Sequence, residues 1–291
     1  MRQDLTASIL ELIRRTSTDL PADVEASLRR AQEQEINGSA ARGALESILR
    51  NVEISRKNST PICQDTGTPL FYVHHPVGWS THHLRKQIES AVVEATILSY
   101  LRPNSVNALT DKNTGNNLGD DYFPVIHFEE GEGNTLKVDL LLKGGGCENV
   151  GAQYSLPDTR IGAGRDLMGV RKAVLEAVQK AQGQGCAPGV LGVAIGGDRG
   201  SAYIVSKEVL YRKLDDANPD PKLDALEKRL TEEANQLGIG PMGFGGKTTV
   251  LGVKIKGMYR LPASFFVTVS YMCWAYRRRS LTMEADQVKY D

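Results

Sequence analysis

Four cysteines, Cys63, Cys147, Cys186 and Cys273, are the residues of this 291-residue chain best suited to bind a metal or act as nucleophiles, and none has a local partner. There is no C-x-x-C pair. The five histidines, His74, His75, His82, His83 and His127, lie away from the cysteines, so zinc-finger spacing is absent. The settings of the four differ. Cys63 sits in a turn-rich polar loop beside Gln64 and Asp65, Cys147 follows three glycines, Cys186 precedes a strand-like run and Cys273 closes one. Ends of elements are where active-site residues gather. Thiolates from separate loops can hold an iron–sulfur cluster. Full coverage by protein suits an electron carrier, whereas three ligands leave one iron open to act as a Lewis acid. Spacing leaves both open, and each cysteine taken singly is also a small buried hydrophobe.

Two glycine loops invite a phosphate reading and fail it. In Gly240-Pro-Met-Gly-Phe-Gly-Gly-Lys-Thr-Thr249 the position where a P-loop needs its first glycine is Pro241, which has no N–H, and a helix rather than a strand precedes the loop. In Gly196-Gly-Asp-Arg-Gly200 the first glycine of a dinucleotide fingerprint would be Ile195. What remains is backbone that approaches something closely or takes positive φ.

The elements that must carry these loops are readable from periodicity. Leu5, Ile9, Leu10 and Ile13 predict a first helix, Pro21 opens a second, and residues 40–52 form a third. Short strands are predicted over 70–73, 124–128, 136–142, 190–195, 250–255 and 265–272, with helices over 84–101, 167–182, 202–212 and 221–237. Interleaved strands and helices predict an α/β or mixed α+β class. One catalytic domain is expected over 1–280, with Arg277-Arg-Arg279 and residues 281–291 as a solvated polar end.

Thirty-five Lys+Arg balance 35 Asp+Glu, which argues against nucleic acid or an anionic membrane as partner. No apolar run approaches a membrane span, and the first residues lack the apolar stretch of a secretory signal, so the expected compartment is the cytoplasm.

Several ordered motifs settle what spacing leaves open. Ile62-Cys-Gln-Asp-Thr-Gly67, Lys112-Asn-Thr-Gly115, Lys143-Gly-Gly-Gly146, Gly192-Val-Ala-Ile-Gly-Gly197 and Leu237-Gly-Ile-Gly-Pro-Met-Gly-Phe-Gly-Gly-Lys-Thr-Thr249 resemble the alpha part of the iron–sulfur class I fumarate hydratases and tartrate dehydratases, over nearly the whole chain. The resemblance implies a [4Fe-4S] cluster held by Cys63, Cys186 and Cys273, with Cys147 lining the site and one iron open to a C4-dicarboxylate. It further implies that Gln64 and Asp65 face substrate, with Asp65 the acid for the departing hydroxyl. Arg102 would bind a substrate carboxylate, and Gly146 would donate its backbone N–H. The implied reaction is reversible hydration of fumarate to (S)-malate, the alternative being dehydration of L(+)-tartrate to oxaloacetate. An electron-transferring iron–sulfur protein is the rival from another class.

Three positions depart from the family pattern. Leu261 stands where the family has a histidine, Asp111 replaces a frequently basic residue, and the chain ends where the family's second half would begin. That half is expected to carry the catalytic base. The expectation is therefore an alpha subunit that works with a beta subunit, as a dimer of alpha–beta pairs.

Overall fold

The computed structural model describes residues 4–285 and 287–291, so residues 1–3, on which the reading of the N-terminus partly rests, lie outside the described residues. The fold is mixed α and β, as expected, and divides into two compact units. One comprises Met1–Pro21, Arg50–Gly145 and Arg277–Asp291; the other comprises Ala22–Leu49 and Gly146–Tyr276.

The first unit is built on a five-stranded mixed sheet. Its strands are β1 (Thr68–Pro76), β2 (Val125–Gly131), β3 (Leu136–Lys143), β8 (Arg278–Glu284) and β9 (Gln287–Tyr290), in the order β2-β1-β3-β8-β9. Only β1 and β2 are parallel; the other pairs are antiparallel. Helices α1 (Thr6–Thr18) and α4 (Thr81–Ile97) cover one face. Their apolar stripes, Ile9, Leu12 and Ile13 on α1 and Leu84, Ile88, Ala91, Val92 and Ala95 on α4, meet Phe71, Val73, Val138, Leu140, Leu142, Leu281 and Met283 in one core. The period of two along β3 and β8 puts these sheet residues on the helix side. Ser80 caps α4 by accepting from the His83 N–H at 3.2 Å.

The second unit carries a four-stranded sheet of β4 (Ala152–Ser155), β5 (Gly189–Ile195), β6 (Val250–Gly257) and β7 (Phe266–Met272), in the order β4-β7-β5-β6. Strand β5 is buried along its whole length, which is why its sequence is a continuous apolar run. Around the sheet lie α2 (Ala22–Gln34), α6 (Leu167–Ala181), α7 (Arg199–Glu208) and α8 (Pro221–Gln236). The long helix α3 (Ala40–Asn58) and the short α5 (Gly145–Asn149) each contribute residues to both units. Gly192 on β5 lets α7 approach, since a Cβ there would stand 2.0 Å from the Ser206 carbonyl oxygen.

Two loops resolve as the failed phosphate tests predict. Asp198, inside the apparent dinucleotide fingerprint, is the N-cap of α7, accepting from the Gly200 and Ser201 N–H groups. In the 240–249 loop, the N–H groups of Lys247 and Thr248 point at a carboxylate of the chain itself. Buried Glu35 accepts from them at 2.8 and 2.9 Å. Gly246, at φ +130°, brings the backbone against Glu35, where a Cβ would stand 2.9 Å from its Oε2.

One expectation is corrected. Arg277-Arg-Arg279 is not a solvated end: Arg277 and Arg278 are buried, and Arg278 begins β8, which pairs with β3. Most of β8 and all of β9 lie in the stretch read as a polar tail. A run of three arginines followed by Ser280-Leu-Thr-Met283 hid the alternation, because only Leu281 and Met283 face the core. No helix among the described residues is long and apolar enough to cross a membrane.

Candidate active site

The loop between α3 and β1 presents Cys63, Gln64 and Asp65 at the end of the first unit's sheet. Its entry is fixed by Ile62, whose N–H donates to the Ser17 carbonyl at 3.0 Å and whose carbonyl accepts from Asn51 Nδ2 at 2.8 Å. Its exit is fixed by Gly67, at φ +81°, packed so closely on the end of β3 that a Cβ would stand 2.7 Å from the Lys143 carbonyl carbon. Gln64 is exposed and Cys63 half-buried.

Asp65, half-buried between these anchors, accepts from two backbone amides. Oδ1 takes the Gly67 N–H at 3.0 Å and Oδ2 takes the Gly145 N–H at 2.7 Å. Gly144 leaves room for it, since a Cβ there would lie 2.9 Å from Oδ2. The run Lys143-Gly-Gly-Gly146 thus cradles the carboxylate, and the amide that reaches it is that of Gly145. Gly146, whose N–H is expected to face substrate, is exposed in α5 and belongs to the second unit.

Arg102 is exposed but held at three points. Its N–H donates to Thr66 Oγ1 at 3.1 Å, its carbonyl accepts from Asn117 Nδ2 at 2.6 Å, and its Nη1 donates to the Gln64 carbonyl at 3.2 Å. Thr66 is fully buried and also accepts from Asn104 Nδ2 at 3.0 Å. The Lys112-Asn-Thr-Gly115 loop braces the same segment, with Asn113 Nδ2 donating to the Pro103 carbonyl and Thr114 N–H to the Ser105 carbonyl. Asp111 is exposed at the start of that loop. Gln64, Asp65 and Arg102 are therefore brought together in one unit.

Cys147, Cys186 and Cys273 gather in the second unit around Tyr271 at the end of β7. Burial pushes the Tyr271 hydroxyl well above its ordinary range, and the charges of Cys273, Cys147 and Cys186 push the same way. The ring is wedged against backbone: a Cβ at Gly185 or Gly189 would stand 2.5 and 2.3 Å from it. Cys186 takes φ +55°, a left-handed conformation that a non-glycine residue holds only when its surroundings enforce it. The enforcing bonds run from the Cys186 N–H to the Gly183 carbonyl and from the Trp274 N–H to the Cys186 carbonyl, both at 3.1 Å. That last bond ties the loops of Cys186 and Cys273 together. None of the four thiols is in a disulfide. Among the described residues no group of three or more His, Cys, Asp or Glu side chains is arranged to hold a metal ion. Leu261, at the family's histidine position, is exposed.

Sequence reasoning missed three residues near these loops. Lys143 is buried at the end of β3, and Tyr271 anchors the cysteine loops. Arg277 is 1% exposed, and its Nε and Nη1 are buried without a hydrogen-bond partner. A cation so placed calls for an anion. The signal was present in the Cys273-Trp-Ala-Tyr-Arg277 run, but the neighbouring arginines disguised it as surface.

In the first unit, a thiol, an arginine and a carboxylate held by backbone amides are groups suited to acid–base chemistry rather than to binding a nucleotide. The family model for fumarate hydratase (Fumerase) matches residues 6–282, and the chain belongs to that family. A Geobacillus stearothermophilus protein provisionally named class I fumarate hydratase is 50% identical over 279 residues, covering 95% of this chain and 54% of that protein. The chain thus spans about half the length of that relative. It is 33% identical to a Methanocaldococcus jannaschii protein provisionally named L(+)-tartrate dehydratase subunit alpha, covering 96% of this chain and 97% of that one. It is 32% identical to the L(+)-tartrate dehydratase subunit alpha of Escherichia coli O157:H7, covering 97% and 91%.

Proposed function

We propose that this chain is the alpha part of a hydro-lyase that interconverts (S)-malate with fumarate and water, and that a beta subunit completes its site. The observation that carries the reading is the Asp65 carboxylate, held by the Gly67 and Gly145 amides in the same loop as Cys63 and Gln64, with Arg102 bonded to that loop. Family membership and the Geobacillus relative support the direction.

Cys63, Cys186 and Cys273 would hold a [4Fe-4S] cluster, which supplies Lewis acidity to a substrate hydroxyl and carboxylate when bound. The fit rests on donor chemistry: uncrosslinked thiols at loop ends and an enforced left-handed Cys186. Arg102 offers a planar fork to a substrate carboxylate. Gln64, exposed beside it, contributes an amide that can donate and accept.

Asp65 carries the proton. In the direction of malate to fumarate, the C–O bond to the hydroxyl breaks and Asp65 gives its proton to that oxygen, releasing water. The proton lost from the adjacent carbon goes to a base on the beta subunit. The two amides fix Asp65 without using all its oxygen lone pairs, so one stays available for transfer.

L(+)-tartrate is the second reading, favoured by relatives that carry the tartrate dehydratase alpha name over nearly their full length. The test is an anaerobic panel of malate, fumarate, tartrate and mesaconate on the chain reconstituted with iron, sulfide and a beta partner. Turnover of malate and fumarate at a kcat/KM above that of tartrate is expected. Preference for tartrate selects the second reading, and turnover of none overturns both.

A further inference from the structure

Outside the site just described, the first unit contains a cavity of about 310 Å³ walled by Arg14, Arg15, Thr18, Asp19, Arg56 and Arg279. Four guanidiniums and one carboxylate line it. We propose that it is a binding site for a small multivalent oxyanion, a dicarboxylate or a phosphate, and that it communicates with the Cys63 loop. The proposal is independent of the malate or tartrate reading.

All four arginines are held in place, and Arg15 and Arg279 keep donors over among the described residues. Arg14 makes a two-point contact with Glu11, Nε to Oε2 and Nη2 to Oε1, both at 2.7 Å. Arg15 gives only its Nε to Glu11, at 2.7 Å, and lies over the Tyr290 ring at 4.5 Å from the centroid. Neither Nη of Arg15 has a hydrogen-bond partner among the described residues. Arg56 Nε and Arg279 Nη2 share Asp19, at 2.6 and 3.1 Å. Arg279 also gives Nη2 to the Leu20 carbonyl and Nη1 to the Asp291 carbonyl, yet its Nε is buried and donates to nothing among the described residues. Glu11 and Asp291 offset part of the charge but do not line the cavity. Asp19 is the one anion among the described residues that line it.

Ordered guanidinium forks with donors to spare are the chemistry that takes up carboxylate and phosphate. The volume sits at the small end of ligand pockets, ~300–1,000 Å³. Ring stacking and fixed ion pairs reduce the side-chain entropy that a ligand would otherwise have to remove.

The floor of the cavity is bonded to the active-site loop. Arg14 Nη1 reaches Ser59 Oγ at 3.3 Å, and Ser17, on the same helix, accepts from the Ile62 N–H at 3.0 Å. These bonds flank Pro61 and stop one residue short of Cys63. An anion that draws Arg14 or shifts the end of α1 acts on the segment that positions Cys63 and Asp65.

The experiment is calorimetric titration of the anaerobically prepared chain, with its partner if purification requires one, at constant ionic strength balanced with chloride. The probes are orthophosphate, pyrophosphate and malate. Saturable binding of at least one is expected, weakened about tenfold or more in both Arg15→Gln and Arg56→Ala. Circular dichroism confirms that each variant is folded. Binding of either phosphate identifies a phosphorylated source; malate binding that survives Arg102→Ala but falls in Arg56→Ala identifies a carboxylate source. No saturation with any probe overturns the proposal. So does binding unchanged in both arginine variants, or malate binding abolished by Arg102→Ala with neither phosphate bound.

Discussion

The Thr66 hydroxyl accepts the backbone N–H of Arg102 at 3.1 Å, and through this bond the loop that carries Asp65 sets the position of the arginine expected to grip substrate. Thr66 has no exposed surface, so its hydroxyl cannot be replaced by water. Thr66→Val keeps the shape and removes the acceptor for both Arg102 N–H and Asn104 Nδ2. Leaving these donors facing a methyl group in place of the buried Thr66 hydroxyl costs about 1–3 kcal/mol. The expected outcome is a loss of that size in urea denaturation, with KM raised more than kcat is lowered. An unchanged KM would show that Arg102 does not depend on this bond.

Gly144 tests the Asp65 cradle without touching its chemistry. An added Cβ would lie 2.9 Å from Asp65 Oδ2, too close to be accommodated unless the carboxylate moves. Gly144→Ala is therefore expected to lower kcat at least about tenfold, since positioned acid–base groups contribute roughly 10²–10⁴-fold. Asp65→Asn, which cannot deliver a proton, should fall further. Steady-state kinetics on samples matched for iron content compares the two; full activity in Gly144→Ala would mean that Asp65 is not held for catalysis.

The elements that sequence predicted well are those with a strong period and a buried face. Strand β5 and helices α6 and α8 fall within a residue or so of expectation, because an all-apolar run and a capped amphipathic stripe each admit one solution. The misses have a common origin in mixed character. Strand β4 has four residues, too few for a period, and β8 opens with two arginines. At the site, the family resemblance singles out Asp65, Gln64 and Arg102, and the structure brings their loops together in one unit. The contact of Gly145 with Asp65 was not legible in the sequence. Which of three consecutive amides reaches a carboxylate is decided by how β3 ends against Gly67, a contact made across more than seventy residues of chain. Tyr271 and Arg277 escaped for the same reason: burial is a property of the packed sheet, and neither residue type announces it.

Glu11 gives the first unit a measurable acid limb. Its hydrogen bond to Arg14 holds its carboxyl at about 2, below the usual 4.5, with burial opposing and Arg15 assisting. A depressed folded-state value means that the interaction stabilises fully above pH 4.5 and is lost as pH falls towards 2. Because the group is partly solvated, the stabilisation is discounted to about 1 kcal/mol. Glu11→Gln should lower stability by that amount at pH 7 and by progressively less below pH 4.5. Urea denaturation of both proteins across this range checks it; a difference that stays constant with pH would assign the loss to packing.

The cysteines separate the roles assigned to them. Cys63, Cys186 and Cys273 are expected as cluster ligands, whereas Cys147 shares the neighbourhood of Tyr271 without that duty. Serine keeps the size and polarity of each side chain but is a poor ligand for iron held by thiolates. Each of Cys63→Ser, Cys186→Ser and Cys273→Ser should lose most of its bound iron and sulfide after anaerobic reconstitution, while Cys147→Ser keeps both. Chelation of the wild type should remove activity together with the visible absorption of the cluster. Cys186 adds an internal control: its φ of +55° is enforced by the Trp274 and Gly183 bonds, both made by backbone. Cys186→Ser should therefore retain the fold by circular dichroism even as the metal is lost. Retention of iron in that variant, or its loss in Cys147→Ser, would move the ligand set from three named thiols to one that includes Cys147, and with it the case for an open iron.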